Sequence, residues 1–100
     1  MRMQTVHYFE EAREYIAAIP EAARVSVDVH VGSLAHHEYD GLETKQLQGS
    51  VRELIVGNHR FVYFFTKDTL CIVGAFRKKS QKTPRREIER ALKLYKLMNS

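Results

Sequence analysis

Apolar residues between positions 8 and 19 fall at Tyr8, Phe9, Ala12, Tyr15, Ile16 and Ile19, spacings of three and four that predict an amphipathic helix. Pro20 cannot continue that helix but is favoured as the first residue of another, where Glu21 adds a stabilising negative charge. The next stretch fits two periods. From Val25 to Val31 valines alternate strictly with polar residues, which suits a strand, while Ala23, Val27, Val31 and Leu34 form a helical stripe that would end near Gly41. Residues 51–56, 60–65 and 70–76 then read as three strands of an antiparallel meander, turning at Gly57-Asn58 and Lys67-Asp68. Both alternate sets of the middle strand are apolar, Phe61/Tyr63/Phe65 and Val62/Phe64, so it is expected to be central, one face under helices and the other partly lining a concavity. After a polar connector, Thr83 and Pro84 suit an N-cap and first helical position, and Ile88, Ala91, Leu92, Tyr95 and Met98 form the stripe of a last helix. With no internal repeat, low-complexity tract or linker, 100 residues predict one α+β domain spanning 1–100.

Composition narrows the setting. Cys71 is the only cysteine, so no disulfide or CxxC pair forms within the chain, and a reducing, cytoplasmic compartment is expected. The N-terminal residues run straight into Glu10, Glu11, Arg13 and Glu14 and lack the apolar core of a signal peptide. The longest apolar run, Phe61 to Phe65, is far short of the roughly 18 residues of a membrane span, so no membrane association is expected.

Charge changes the picture more. Residues 1–76 hold seven Lys/Arg against ten Asp/Glu, a net of −3, whereas residues 77–100 hold nine against two, a net of +7. Concentration of this kind is the footprint of a phosphate-binding surface, the alternative being a solvated basic helix face. His36 and His37 are adjacent and His7, His30 and His59 fall on different elements, so no metal site and no cofactor are expected. Glycine-rich phosphate loops and GxSxG elbows are absent from the sequence, which removes nucleotide hydrolases and serine esterases. His59 beside Arg60 reads either as a catalytic pair or as a polar turn residue.

The meander topology places Arg60, at the start of the middle strand, beside Arg77, Lys78 and Lys79, at the exit of the last, with Arg52 farther along a groove. Guanidinium and ammonium groups so gathered would stabilise charge developing on a phosphorane during RNA cleavage, a reaction in which the 2′-hydroxyl attacks and no metal is needed. A lysine crowded by other cations is a candidate general base. Binding of phosphate without cleavage is the alternative.

The segment from Val51 to Phe65, VRELIVGNHRFVYFF, followed by GAFRKKSQKTP from Gly74 to Pro84 and by Glu87, Ile88 and Ala91, resembles the RelE/HigB toxins, in particular their phage-derived Gp49-like branch. The resemblance implies two N-terminal helices packed on a small twisted antiparallel sheet with a C-terminal helix, and so decides the ambiguous stretch as helix. It further implies a ribosome-dependent endoribonuclease (mRNA interferase) that cuts messenger RNA and is neutralised by a cognate antitoxin of helix-turn-helix type. Carried over residue by residue, it makes Arg60, Arg77 and Lys79 the catalytic candidates. Arg52, Lys78, Lys82, Arg85 and Arg86 complete the expected RNA contacts. Two departures stand out. The branch usually has an arginine after Glu-Leu where this chain has Ile55, and no tyrosine or histidine occurs between Thr83 and Arg86 to serve as acid or base. The fold's N-terminal strand would have to be residues 1–5. Loss of the arginine favours the alternative of a non-catalytic toxin of the same fold, such as a ParE-like gyrase inhibitor, or a phage-derived protein-binding module.

Overall fold

A computed structural model describes residues 4–99 of the protein. The elements run β1 (Thr5–Tyr8), α1 (Glu10–Ala18), α2 (Glu21–Ala35), β2 (Glu43–Gln48), β3 (Val51–Val56), β4 (His59–Phe65), β5 (Thr69–Arg77) and α3 (Arg85–Met98). The strands form one sheet in the order β1-β5-β4-β3-β2, antiparallel throughout except that β1 runs parallel to β5.

This corrects the expected small antiparallel sheet carrying helices on one face. The sheet has five strands and is mixed, and α3 packs on the face opposite α1 and α2. Leu54, Phe61, Tyr63, Leu70 and Ile72 meet Ala12 of α1 and Val27, Val31 and Leu34 of α2. The alternate set, Val51, Val62, Phe64, Cys71 and Val73, meets Ala91, Leu92 and Tyr95 of α3. Both apolar sets of β4 are therefore spent on core, and no open concavity remains beneath its centre.

β2, which was not expected, and β1, which the resemblance placed at residues 1–5 and which runs Thr5–Tyr8, left little trace in the hydrophobic pattern. β2 has only Leu47 among its polar residues, because it is an edge strand held by backbone pairing to β3. In β1, Tyr8 mimics the helical spacing of α1, yet Thr5 N–H donates to Asp68 and Phe9 N–H to Ile72, which fixes an extended segment along β5. Residues 1–3 of the expected N-terminal strand lie outside the described residues.

α2 resolves its ambiguity in favour of the helical period, burying Val27, Val31 and Leu34 and leaving Val25 and Val29 at the surface. It stops at Ala35, short of Gly41, and His37 follows in the left-handed region at φ 59. Gly57 takes φ 59 in the two-residue β3–β4 turn, a conformation that costs glycine least.

Past the end of β1, Arg90 of α3 donates to Glu87 at 2.8 Å and to the Val73 carbonyl of β5 at 3.3 Å, and also pairs with Glu11 of α1. One guanidinium thus joins α1, β5 and α3. Gly74 makes room for it: a Cβ there would collide with Nη2 of Arg90 and stand 2.6 Å from Oε1 of Glu87.

Candidate functional site

Successive residues of a strand point to opposite faces, and this decides how the predicted cations are distributed. Arg60 pairs in register with Phe76, and His59 with Arg77. Arg60 projects with Val62 and Phe64 toward α3, whereas His59 and Arg77 project with Phe61 toward α1. The two arginines that the meander brings side by side therefore serve different faces of the sheet.

On the α3 face Arg60 is only 11% exposed and lies beside Glu53, which is 3% exposed. Its Nε stands 3.7 Å from Oε2 of Glu53, and its Nη1 donates to the carbonyls of Gly57 at 2.8 Å and His59 at 3.1 Å. Thr83 completes the arrangement by donating its hydroxyl to Oε1 of Glu53 at 2.5 Å. A buried carboxylate needs such partners, because desolvation otherwise exceeds what one ion pair returns. Thr83 is thus occupied with Glu53 and does not cap α3, whose N-cap is Pro84 with no side-chain cap bond. Above this triad lies a cavity of 190 Å³ lined by Glu43, Lys45, Glu53, Arg60, Lys78 and Lys82, with Ile55 adding an apolar wall. A larger groove of 680 Å³ continues past Lys45 and Lys82 to Arg85.

On the α1 side, Nδ1 of His59 lies 2.7 Å from the Tyr15 hydroxyl, and the rings meet edge to face. Burial, Arg77 and Arg60 together push the His59 imidazole below its ordinary pKa. Burial raises Tyr15, and Arg77 opposes that rise. A cleft of 530 Å³ at the end of β5 is lined by Tyr15, Arg77, Lys79, Lys82, Arg86 and Glu87. Ser80 and Lys82 line this cleft, the cavity and the groove alike, so the 78–84 connector folds over the end of the sheet and joins its two sides.

The predicted residues therefore fall into three places. Arg60, Lys78, Lys82 and Arg85 lie on the α3 side, and Arg77, Lys79, Lys82 and Arg86 around the cleft. Arg52 lies apart on the α1–α2 face, donating to Thr44 at 3.2 Å and lowering the pKa of Tyr63 against the larger effect of burial. Arg85 also bonds Gln48 and Glu89. Lys45 could not be anticipated, since β2 itself was not visible, nor could Tyr15, whose spacing reads as helix stripe. His59 was visible as a polar residue at a turn, but its partner is Tyr15, 44 positions away, and not Arg60. Among the described residues no cluster of three or more His, Cys, Asp or Glu can hold a metal ion, and no helix is long and apolar enough to cross a membrane.

Three solved complexes share this architecture. The chain matches a component of the RelBE2 toxin–antitoxin complex of Mycobacterium tuberculosis with TM-score 0.62 and 16% identity, over 77% of this chain and 100% of that one. It matches the archaeal RelE–RelB complex of Pyrococcus horikoshii with TM-score 0.67 and 11% identity, over 81% and 100%. For the RelB–RelE antitoxin–toxin complex of Methanococcus jannaschii the TM-score is 0.60 and the identity 14%, over 83% and 94%. At these identities the similarity is one of fold. No curated protein sequence matches the chain significantly. Residues 14–96 match the family model described as phage derived protein Gp49-like, and with most of its length covered, the chain belongs to the phage-derived Gp49-like family, built on the fold seen in RelE toxin complexes.

Proposed function

We propose that this protein is a ribosome-dependent endoribonuclease toxin that cuts messenger RNA without a metal and is held in check by a cognate antitoxin, expected to be of helix-turn-helix type. The observation that carries this reading is the 78–84 connector, which gathers Lys45, Arg60, Lys78 and Lys82 on one side and Arg77, Lys79 and Arg86 on the other. Seven cations along one continuous rim suit a strand that presents several phosphates in succession, and a single small anion would use only a fraction of them. Attack by the 2′-hydroxyl supplies the nucleophile from the RNA itself, leaving the protein to orient the chain and stabilise charge on the phosphorane. Arg77 and Lys79 are suited to the latter, being exposed cations beside a cleft, and Arg60 to holding a neighbouring phosphate from its fixed position. Such chemistry takes place where ribosomes are, in the cytoplasm.

One observation favours a second reading. Ile55 lines the Arg60 cavity with an apolar side chain, which weakens phosphate binding there and suits a toxin of the same fold that inhibits gyrase without cleaving RNA. Induction of the gene alone separates the two. The endoribonuclease reading expects translation to stop with transcripts cut inside reading frames and ending in cyclic phosphates. Intact transcripts with a rising DNA-damage response would replace it by the second.

A further inference from the structure

We propose that Tyr15, backed by His59, is the proton-transferring group of RNA cleavage in this chain, with Arg77 holding the scissile phosphate in the cleft at the end of β5. The proposal rests on the RNA-cleaving reading above and adds the base that the sequence leaves open. The cleft has the volume of a ligand site, and Tyr15, Arg77, Lys79 and Lys82 line it together. Its one carboxylate, Glu87, is 4% exposed and accepts from Arg90, so it is committed to structure. In the Arg60 cavity Glu53 is likewise occupied, by Thr83 and Arg60. Tyr15 lines the cleft, and its hydroxyl has a proton acceptor beside it, Nδ1 of His59 at 2.7 Å.

The surroundings of His59 keep that acceptor available. Arg77 faces it from β5 and Arg60 adjoins it on its own strand, both disfavouring imidazolium, as does burial. Tyr15 meets it from α1, and α2 contributes only Ala23 and Ser26 to the adjoining 250 Å³ cavity. With the ring proton on Nε2, the Tyr15 hydroxyl donates to Nδ1. In the reaction, the 2′-oxygen bonds to phosphorus and its proton passes to the Tyr15 oxygen while the Tyr15 proton passes to Nδ1 of His59. The bond from phosphorus to the 5′-oxygen breaks, and that oxygen takes a proton from a Lys79 or Lys82 ammonium lining the same cleft. The products are a 2′,3′-cyclic phosphate and a 5′-hydroxyl end. His59 then loses its proton to solvent and the lysine regains one.

Only neutral imidazole can accept, so cleavage should rise with pH through the His59 pKa, which lies below the ordinary 6.5. The test uses the whole protein with translating ribosomes across about pH 5 to 8. Tyr15→Phe and His59→Gln are expected to slow cleavage about 100-fold. His59→Gln should also flatten the rise with pH, while both variants bind a 2′-O-methyl RNA oligonucleotide as tightly as the unmodified protein and melt at the same temperature. Wild-type rates with an unchanged pH profile in both variants would overturn the proposal and leave the RNA-cleaving reading intact. Absence of cleavage by the unmodified protein would remove both. Should a variant fail to fold, the imidazole resonance of His59 in the unmodified protein decides: it is expected to titrate below the ordinary value and to shift when the 2′-O-methyl oligonucleotide binds. An unresponsive resonance overturns the proposal.

Discussion

Arg60 and Arg77 stand one register position apart on neighbouring strands, yet the two sides of the sheet use them in opposite ways. On the α3 side the guanidinium of Arg60 is nearly buried, tied to two carbonyls and set against the buried Glu53. On the α1 side Arg77 is exposed at the mouth of a cleft, and its neighbours are a neutral pair, Tyr15 and His59. A charge that is desolvated and partnered is costly to disturb, whereas one facing water is free to meet a ligand. The same residue type is therefore held fixed by structural partners on one face and left free to move toward a ligand on the other. On the proposed toxin reading, loss of growth arrest on mutation would have a different meaning at each position.

The largest effect that sharpens this contrast is expected from Arg60→Ala, which leaves the buried Glu53 with Thr83 as its side-chain partner among the described residues. Removing one member of such a pair should cost about 3 kcal/mol, read as a lower midpoint in urea denaturation, so any loss of the proposed toxicity would come with loss of fold. A stable Arg60→Ala protein would break the contrast. Next is the double charge reversal Lys79→Glu with Lys82→Glu, both in the +7 C-terminal quarter of the chain. If an acidic antitoxin segment covers the cleft, calorimetry should show its affinity falling about thirtyfold, or about 2 kcal/mol. Unchanged affinity would place the antitoxin on the −3 N-terminal part instead. Thr83→Val removes one hydrogen bond to a charged acceptor and should cost about 1.5 kcal/mol, again by urea denaturation. The smallest effect belongs to Arg77→Ala, whose stability should stay within about 0.5 kcal/mol of the unmodified protein while growth arrest is lost. A marked fall in its denaturation midpoint would show Arg77 to be held by structural partners as well.

Local periodicity was enough to locate β3, β4 and β5 within a residue or so of their ends, and to show that β4 is central, because each strand buries apolar residues at spacing two. It also showed that α1 and α3 exist, but it set the start of α1 at Tyr8, which belongs to β1, and the start of α3 one residue early at Pro84, which is its N-cap, and Met98 at the end of the α3 stripe is half exposed. The edge strands escaped it. β2 buries little, and β1 is held by hydrogen bonds to a strand some 60 positions away in the register Thr5↔Thr69. Neither circumstance leaves a hydrophobic signature in the segment itself.

The basic exit of β5, its change of charge from the rest of the chain and the arginine opening β4 were all fixed by the order of residues alone. So was the family resemblance they carry. Their division between two faces was not, although period two requires that neighbours in a strand diverge. Only the pairing of His59 with Arg77 and Arg60 with Phe76, together with the placing of α1 and α3 on opposite sides, determines which cation meets which partner. The Tyr15–His59 contact belongs wholly to the tertiary structure. A helix and a strand end, 44 residues apart, meet because each buries its own apolar stripe, and the polar groups at their rims are brought together by packing that neither segment encodes by itself.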